Sequence, residues 1–465
     1  MIRIFRHYVP KSLVFLGVTE AGVFFLSVYV GVFALFVDSN PTSKLINGPV
    51  WIKAFLYTVV MMALMTMMGL YVRGLRDDLR GILFRVGLVF LTGLFIISTV
   101  LAVFPEFSIG SSALSVAFTA SAIGVALFRS FIYHFADKIA FKKRVLVVGS
   151  GNMAAEIEQR LRRKVDWRDK QLAGYMPVPG ERAVIDERKL LRTNTDLLTL
   201  AREHRVHEIV IAIDTRREDL PVSEILDCKT NGIQVVALGT FFEQQTGKVQ
   251  LEGLSPSAIV FSDGFVQAAL KSYLHRAFDI VVSLSVLLIA WPLMLAAAVG
   301  VFIESGGRHP VLYRQERVGR NGKCFQILKF RSMAPEAEGD EPQWALANDQ
   351  RVTCVGMYMR RMRIDELPQL INVLKGDMSF VGPRPERPEF VQYLVDRIPF
   401  YDLRHRVNPG ITGWAQISYP YGGSVQDAKE KLQYDLYYIK NYSLFLDVMI
   451  LIQTVQVVLW GKGAR

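Results

Sequence analysis

The 465-residue sequence predicts a membrane protein with an N-terminal four-helix transmembrane bundle, a Rossmann-like α/β domain, and a further α/β domain anchored by a re-entrant membrane helix. Three observations support this fold class. Hydrophobic residues make up 51% of the chain, and four apolar runs in its first third are each long enough to cross a bilayer. A glycine-rich turn between a strand and a helix follows them. A fifth apolar run then has basic residues on both sides.

The formal net charge of +11 restricts the partners of the chain. A basic balance is typical of proteins that bind nucleic acid, anionic lipid or phosphorylated substrates. The membrane segments favour the last two, so we expect membrane lipids and a phosphorylated substrate as partners, and no nucleic acid. The three cysteines, Cys228, Cys324 and Cys354, are too scattered for a disulfide framework or a zinc knuckle, which fits a reducing compartment.

The first predicted domain, residues 1–135, is the transmembrane bundle. Its apolar runs lie at residues 13–37, 54–72, 82–104 and 111–128. Basic residues precede the first run, separate the second from the third and follow the fourth, which places the N-terminus and everything after the fourth run in the cytoplasm. The first run is too long for a cleaved signal peptide. Glu20 and Arg85 lie inside two of these apolar runs. Either they form a polar relay, or Glu20 is paired within the bundle and the Arg85 side chain extends to the membrane interface.

The second predicted domain, residues 140–265, begins with RVLVVGSGNMAAEIEQRL. Its strand leads into Gly149, Gly151 and Ala154, the GxGxxA arrangement that lets a backbone approach a pyrophosphate above a helix N-terminus. Gly149 and Gly151 are therefore the candidates for a cofactor-binding site. The next strand, QLAGYM, lacks the acidic residue that ends it in an NAD site, and no acid follows until Glu181. The domain is thus either a working dinucleotide site or a retained fold with a structural or regulatory role.

Residues 270–305 are predicted to enter the membrane and return. The apolar run 280–303 is long enough to cross, but basic residues flank both ends, and a crossing would leave one basic flank outside. Pro292 in the middle of the run removes a helix hydrogen bond and favours a kink. A re-entrant helix bent at Pro292 satisfies both observations and holds the following domain at the level of the lipid headgroups. A plain fifth span is the alternative.

An acid pair, Asp365 and Glu366, stands in the stretch RMRIDELPQL beside a group of arginines. Pro368 and Gly376 bound a short predicted helix, ELPQLINVLKG, so that both acids fall at its N-terminus. One interpretation is structural, because Asp is a preferred N-cap and Glu is favoured in a first helical turn. The acidic, turn-rich segment 334–350 upstream is predicted to be a mobile loop.

The next stretch, GDMSFVGPRPERPEF, favours a chemical role for the pair. Arg384 lies between two prolines, whose fixed φ angles stiffen a loop suited to bidentate phosphate binding. Arg360, Lys329 and Arg331 are predicted to join the same positive basin. Adjacent acids among arginines are typical of phosphoryl transfer, in which one carboxylate attacks phosphorus and its neighbour holds Mg²⁺. The two acids are therefore the candidate catalytic residues and the candidate Mg²⁺ ligands.

Three stretches in order, RIDELPQLINVLKGDMSFVGPRPE, NPGITGWAQI and YDLYYIKNYSLFLDV, resemble the bacterial sugar transferases, polyprenyl-phosphate sugar-1-phosphate transferases that start glycan assembly on a lipid carrier. The resemblance covers about residues 270–465, of which 306–465 would form the catalytic domain. The segments upstream resemble those of the larger members, including exopolysaccharide initiators. One difference is SYPYGGS at residues 418–424, where many relatives have Asn-Gly-Arg, and it leaves the donor sugar open.

The resemblance implies a reaction and a set of site residues. Asp365 would attack the β-phosphate of a UDP-sugar and release UMP, and undecaprenyl phosphate would then take the sugar phosphate. The second acid of the pair would bind Mg²⁺. Arg360 and Arg384 fall at the family's basic positions, and Asp435 falls at a recurrent acidic one. The catalytic domain would lie on the cytoplasmic face of the bacterial inner membrane, and a homodimer is compatible with two membrane bundles that pair.

Two other functions stay open. An oxidoreductase or epimerase acting on nucleotide sugars would bind NAD(P) and would need a Tyr-x-x-x-Lys pair, which residues 140–265 lack. A non-catalytic membrane scaffold or sensor of polysaccharide export would leave the acids and arginines without a chemical role. The C-terminal apolar run, LFLDVMILIQTVQVVLW, is expected to lie along the membrane surface or on the catalytic domain, with a sixth span as the alternative.

Overall fold

The computed structural model describes residues 2–4, 7–9, 11–37, 48–71, 79–135, 142–161, 167, 170–191, 195–214, 221–252, 256, 259, 264–265, 269–333, 351–420 and 422–460. The predicted loop at 334–350 lies outside these residues. The chain divides into two compact units, one built mainly from residues 8–245 and the other mainly from residues 246–465. Among the described residues, five helices are long and apolar enough to cross a membrane by length and composition. The chain therefore has the apolar helices of a membrane protein and a C-terminal α/β region.

Two short strands and four long apolar helices begin the chain. They are β1 (Ile2–Ile4), β2 (His7–Val9), α1 (Lys11–Val37), α2 (Val50–Met67), α3 (Leu79–Val103) and α4 (Ser111–Phe135). Both α1 and α3 pack against α2 and α4. The inward side chains of all four helices, among them Phe24, Met61 and Val89, form one hydrophobic cluster. Large apolar side chains such as Phe33 and Phe95 are exposed on the outer faces. Helices that are apolar all round suit a lipid environment.

An ion pair is buried among these helices. Glu20 in α1 is fully buried, and its carboxylate accepts hydrogen bonds from Arg129 of α4, 2.7 Å from Nε and 3.0 Å from Nη2. Tyr71 also donates to Glu20, and Arg129 reaches a backbone carbonyl just after α2 at 3.3 Å. Glu20 is therefore a paired acid, the second of the two interpretations of its position. Arg85 donates to the carbonyl of Met68 at 3.1 Å.

A parallel sheet forms the rest of the first unit. Its elements are β3 (Lys143–Val148), α5 (Asn152–Arg160), β4 (Lys170–Met176), α6 (Leu197–Glu203), β5 (Glu208–Ile211), α7 (Val222–Thr230), β6 (Gln234–Ala237) and α8 (Leu238–Thr246). The strand order is β4-β3-β5-β6, and every neighbouring pair is parallel, as a Rossmann-like domain requires. Side chains of β3 alternate between the two faces, with Val145 and Val147 in one buried cluster and Leu146 and Val148 in the other.

Two carboxylates of the chain itself, from Glu181 and Asp214, occupy the glycine turn after β3. Asp214 accepts hydrogen bonds from the backbone amides of the first two residues of α5, the second at 2.6 Å. Glu181 accepts from the amides of Ser150 and Asp214 at 2.7 and 2.9 Å. A Cβ at Gly151 would meet both carboxylates. We call this arrangement the carboxylate clamp. A bound pyrophosphate would use the same amides, so the clamp favours a retained fold over a working dinucleotide site at Gly149 and Gly151.

The second unit begins with a 36-residue helix and continues as an α/β domain. Its elements are α9 (Ala269–Glu304), β7 (Leu312–Val318), β8 (Cys324–Phe330), α10 (Cys354–Arg361), α11 (Gln369–Lys375), β9 (Ser379–Val381), α12 (Pro388–Val395), β10 (Gly410–Thr412), α13 (Trp414–Ser418), α14 (Val425–Lys440) and α15 (Leu444–Trp460). β7 and β8 form an antiparallel hairpin, and β9 pairs in parallel with β10. Leu370, Val381 and Leu436 lie in the main core, and Pro292 lies inside α9.

Two segments at the edges of the second unit join its core. The sequence predicts residues 246–252 as part of the Rossmann-like domain, whereas Val249 and Leu251 are buried in the core of the second unit. The amide of Val249 donates to a carbonyl of α14 at 3.0 Å, which fixes this segment there. The C-terminal helix α15 packs on the same core through Leu446 and Ile450, one of the two placements expected for it.

Candidate active site

The acid pair lies in a separate turn just before α11. Residues Ile364–Glu366 form a single 3₁₀ turn, and Arg363 before it adopts a left-handed conformation with φ 59°. The amide of Leu367 bonds back to the carbonyl of Ile364 at 3.1 Å, which closes this tight turn. Pro368 is the N-cap residue of α11. The acids therefore precede the helix by about one turn, whereas the sequence placed them at its N-terminus.

Three cations surround Glu366. Its Oε1 lies 2.9 Å from Nη2 of Arg384 and 3.5 Å from Nζ of Lys329, and its Oε2 lies 3.7 Å from Nη1 of Arg363. Burial opposes ionisation of this carboxyl, but the three cations hold the pKa of Glu366 well below its usual range. Burial also lowers the pKa of Lys329, against the attraction of Glu366. Glu366 is thus a fixed negative charge at neutral pH.

Asp365 is the less constrained acid of the pair. Only 8% of it is exposed, yet its Oδ1 has no hydrogen-bond partner among the described residues. Burial and the charge of Glu366 raise the pKa of Asp365, against the pull of the neighbouring cations. A carboxylate with a raised pKa and an oxygen without a hydrogen bond is better suited to nucleophilic attack than one held in a salt bridge.

The proline-flanked arginine loop, residues 382–386, is fixed by its backbone. The carbonyls at positions 383 and 386 accept hydrogen bonds from the backbone amides of Gly410 and Val318, at 2.9 and 3.0 Å. The carbonyls at positions 384 and 385 accept from the guanidinium groups of Arg404 and Arg317, at 2.9 and 3.4 Å. The four carbonyls of residues 383–386 thus each accept a hydrogen bond from the protein. A rigid frame presents the guanidinium at the centre of the loop, as the two prolines predict.

A buried arginine connects Asp435 to this loop. Arg404 is 6% exposed, and its Nη2 lies 2.9 Å from Oδ2 of Asp435, which is 2% exposed. Its Nη1 donates to the hydroxyl of Tyr401 at 2.7 Å. Burial raises the pKa of Asp435 to about 6, against the pull of Arg404. In the part of the chain that the structure describes, no contact joins Asp435 to the acid pair, and its assignment as a phosphate ligand stays a prediction.

The other two predicted cations have different surroundings. Arg360 in α10 acts on Asp365 through its charge, and its buried Nη1 has no hydrogen-bond partner among the described residues. Arg331 donates to the carbonyl of Pro310 at 3.1 Å and lies over the ring of Tyr313, 5.9 Å from the centroid. Lys329, Arg360 and Arg384 thus act on the acid pair, whereas the place of Arg331 in the basin stays a prediction.

Sequence reasoning missed the roles of Arg363 and Arg404. Arg363 is one of several arginines before the acid pair, and nothing in the sequence shows that it alone has a left-handed backbone. Arg404 stands in YDLRHRV, where three basic residues lie close together and no pattern indicates which one is buried. Arg is rarely buried unless it is paired with an acid. The sequence feature that could have pointed to a buried arginine is therefore its acidic partner Asp435, which lies far away along the chain.

The acid pair offers the oxygen ligands that Mg²⁺ prefers. Among the described residues, no group of three or more His, Cys, Asp or Glu side chains is placed to hold a metal ion. Mg²⁺ at phosphoryl-transfer sites commonly uses one or two carboxylates and takes its other ligands from water and substrate phosphates. The unpartnered Oδ1 of Asp365 beside the ionised Glu366 fits that donor set.

The chain is similar to known proteins through the second unit and beyond it. The family model for bacterial sugar transferases matches residues 270–461. A UDP-N-acetylgalactosamine-undecaprenyl-phosphate N-acetylgalactosaminephosphotransferase from Aeromonas hydrophila is 42% identical over 51% of this chain, a match that spans only 55% of that protein. UDP-glucose:undecaprenyl-phosphate glucose-1-phosphate transferases from Xanthomonas campestris pv. campestris and Escherichia coli K12 are 34% and 31% identical, over 73% and 68% of this chain and 71% and 68% of their own length. The chain therefore belongs to the bacterial sugar transferase family, which confirms the resemblance drawn from its motifs.

Proposed function

We propose that the chain is an undecaprenyl-phosphate sugar-1-phosphate transferase with a UDP-sugar as its donor. Asp365 attacks the β-phosphorus, so that a bond forms between its carboxylate oxygen and phosphorus while the bond to the bridging oxygen breaks. The electron pair of the broken bond leaves with UMP. A phosphate oxygen of undecaprenyl phosphate then attacks the sugar phosphate on Asp365, releases the carboxylate and gives undecaprenyl diphosphate sugar. This product starts the assembly of an exopolysaccharide or another glycan.

The observation that carries this proposal is the unequal environment of the two acids. Glu366 is held ionised by its cations, whereas an oxygen of Asp365 accepts no hydrogen bond from any residue that the structure describes. Glu366 thus provides a fixed negative charge, and Asp365 is available for nucleophilic attack. Arg384 and Lys329 lie where they can stabilise charge that develops on the transferred phosphate. The names of the relatives, which specify UDP-sugars and undecaprenyl phosphate, support the choice of substrates.

Asp365 and Glu366 are the residues that would hold Mg²⁺, together with the phosphates of the donor. Bound Mg²⁺ supplies charge neutralisation at those phosphates. The chain's own cations have a separate task, because Arg384 is presented by a rigid loop and can orient the phosphate for attack.

We also propose that α1 to α4 cross the membrane as a four-helix bundle and that α9 enters the cytoplasmic leaflet and returns. Contacts at both ends of α9 support the second point. Near its start, Arg276 donates to the carbonyls of Val373 and Leu374, the latter at 2.6 Å. Near its end, Glu304 accepts from the amide of Val355 at 3.2 Å. A crossing helix would have its ends on opposite sides of the bilayer, whereas these contacts join both ends to one α/β domain.

A re-entrant α9 puts the catalytic domain on the cytoplasmic face of the bacterial inner membrane. The basic residues that follow α4 support the same orientation. Pro292 would supply the bend. Two such membrane bundles could pair, which makes a homodimer part of the proposal.

The test uses the full chain in nanodiscs with undecaprenyl phosphate, Mg²⁺ and a panel of UDP-sugars that includes UDP-glucose and UDP-N-acetylgalactosamine, with UMP release as the readout. We expect release from one donor and its loss in Asp365→Asn. Asp396→Asn, an exposed acid at the end of α12, is the matched control and should keep wild-type activity. If Asp365→Asn releases UMP as fast as the wild type, the covalent mechanism is wrong.

A further inference from the structure

A second group of cations borders the arginine loop. Arg317 of β7 donates through Nη1 to the carbonyl of Pro385 at 3.4 Å, and the same nitrogen lies 3.9 Å from Oε2 of Glu386. Its Nη2 is held by Gln315 at 2.6 Å. The buried Nε of Arg317 has no hydrogen-bond partner among the described residues. Arg317 therefore borders the loop and keeps one unused donor.

Lys431 approaches the same loop from α14. It stands one helical turn before Asp435, and residues four apart lie on the same helix face, so it shares the face that holds Arg404. Its Nζ donates to the carbonyl of Gly422 at 2.7 Å. The charges of Glu386 and Arg384 both act on Lys431, which shows that the arginine loop is its neighbour. Burial lowers the pKa of this half-buried ammonium.

The acids around Lys431 do not balance this group of cations. Glu430, directly before Lys431, pairs with Lys248 at 2.7 Å. Asp427, four positions before Lys431 on α14, accepts hydrogen bonds from the amide and hydroxyl of Ser424, at 3.0 and 2.6 Å, and from the hydroxyl of Tyr419 at 2.8 Å. Asp435 also interacts with the charge of Lys431, but it pairs with Arg404 at 2.9 Å. Glu386 is a further acid whose charge acts on Lys431, and its side chain is 30% exposed. Glu386 and Asp435 thus lie among four cations, Arg317, Arg384, Arg404 and Lys431, which leaves an excess of positive charge.

We propose that Arg317 and Lys431 bind the nucleotide-side phosphate of the donor. This inference rests on the proposed function, in which a diphosphate must bring its sugar-side phosphate to Asp365. Arg384 contacts Glu366 with its side chain, and the carbonyl of the next residue in the loop accepts a hydrogen bond from Arg317. The adjacent phosphate of the same donor therefore lies along the loop towards Lys431. When the bridging bond breaks, the electron pair and the new negative charge go to UMP, next to these two cations.

The test measures binding of UMP to the full chain in nanodiscs with Mg²⁺ by isothermal titration calorimetry. UMP carries only the nucleotide-side phosphate, so it probes this group and not the attack on the sugar phosphate. We expect Lys431→Met to weaken UMP binding by about 10- to 100-fold, the loss typical of a charge-assisted hydrogen bond. Lys431→Arg keeps the charge and should stay within about threefold of the wild type. Lys429→Met is the matched control, since Lys429 lies on the same helix but pairs with Glu252 at 3.0 Å.

Lys431→Met also removes the hydrogen bond to Gly422, so thermal unfolding of each variant is recorded to detect a loss of structure. Arg317→Gln removes the other proposed phosphate ligand and tests the same site without changing that hydrogen bond. Weaker UMP binding in Lys431→Met and Arg317→Gln at unchanged unfolding temperature supports the inference. Wild-type affinity in both variants, or no UMP binding by the wild type, overturns it. If the wild type turns over a UDP-sugar but neither variant loses affinity for UMP, this inference is wrong and the proposed function stands. If no donor is turned over, the proposed function is wrong.

Discussion

Replacement of Asp435 by asparagine tests whether this acid acts through the arginine loop. Asp435→Asn keeps the shape of the side chain but removes the charge that lies 2.9 Å from Arg404. Arg404 is 6% exposed and would be left with the neutral hydroxyl of Tyr401 and the carbonyl of Arg384 as acceptors. Removal of one partner of a buried ion pair costs about 3–5 kcal/mol, and the remaining acceptors favour the lower end. About 3 kcal/mol corresponds to a fall in unfolding temperature of about 6–12 °C for a domain of this size.

The same substitution should also slow the reaction. Arg404 donates to the carbonyl of Arg384, so a shift of Arg404 moves the loop, and a displacement of about 1 Å at a reacting group costs roughly 100-fold in rate. Thermal unfolding and UMP release are measured on the same preparations, with Asp396→Asn as the control. The double variant Asp435→Asn with Arg404→Gln removes the unpaired charge and should regain most of the stability, but not the activity. An unfolding temperature within about 2 °C of the wild type, together with an unchanged rate, would refute this reasoning.

Three further predictions concern other parts of the chain. Burial and the charge of Glu366 raise the pKa of Asp365, so at acidic pH more of this carboxyl is protonated, and unable to attack, than in an ordinary Asp. UMP release should therefore rise with pH through an acid limb whose midpoint lies above 3.8, and a profile flat down to pH 3.8 contradicts this. Glu20→Gln should destabilise the first unit by about 3 kcal/mol in thermal unfolding, because it leaves Arg129 without its carboxylate, while Glu20→Leu with Arg129→Met should be close to the wild type; equal stability of the single variant and the wild type argues against a structural ion pair. Asp214→Asn should cost about 1–3 kcal/mol in urea unfolding of the first unit, because each oxygen of Asp214 accepts from one amide of α5 and asparagine would turn an NH2 donor towards one of them. No loss of stability would remove the clamp as a stabilising feature.

The sequence predicts the helices of this protein well because their signals are local. Apolar length alone locates the four N-terminal helices, and their ends differ from the predictions by a few residues, as α2 shows with Val50–Met67 against 54–72. Gly376 ends α11 as predicted, with φ 96°, a conformation that glycine adopts without cost. The parallel strands of the Rossmann-like domain follow from continuous apolar runs such as HEIVIAI, which are buried on both faces of a sheet.

The parts that sequence reasoning missed depend on contacts between distant residues. The left-handed Arg363 turns the acid pair into a separate 3₁₀ turn, although a preferred N-cap residue and a following proline both predict a helix start there. Arg404 and Asp435 are 31 positions apart by their numbering, and only the packed domain shows that they pair. Lys329 and Arg384 were predicted beside the acids because Arg and Lys are the usual phosphate-binding residues, a chemical argument that does not need the fold.

Asp214 and Glu181 also change what the stability of this glycine-rich turn depends on. Where the amides of such a turn bind a dinucleotide, the ligand stabilises the folded state, and the unfolding temperature follows its concentration. Here the anion is part of the polypeptide, so it can be neither diluted nor withdrawn, and the amides at the start of α5 are satisfied as soon as the sheet forms. The hydrogen bonds of these amides therefore do not depend on the concentration of a nucleotide. A protein designer who wanted a cofactor in this turn would have to remove two carboxylates before the glycines became useful.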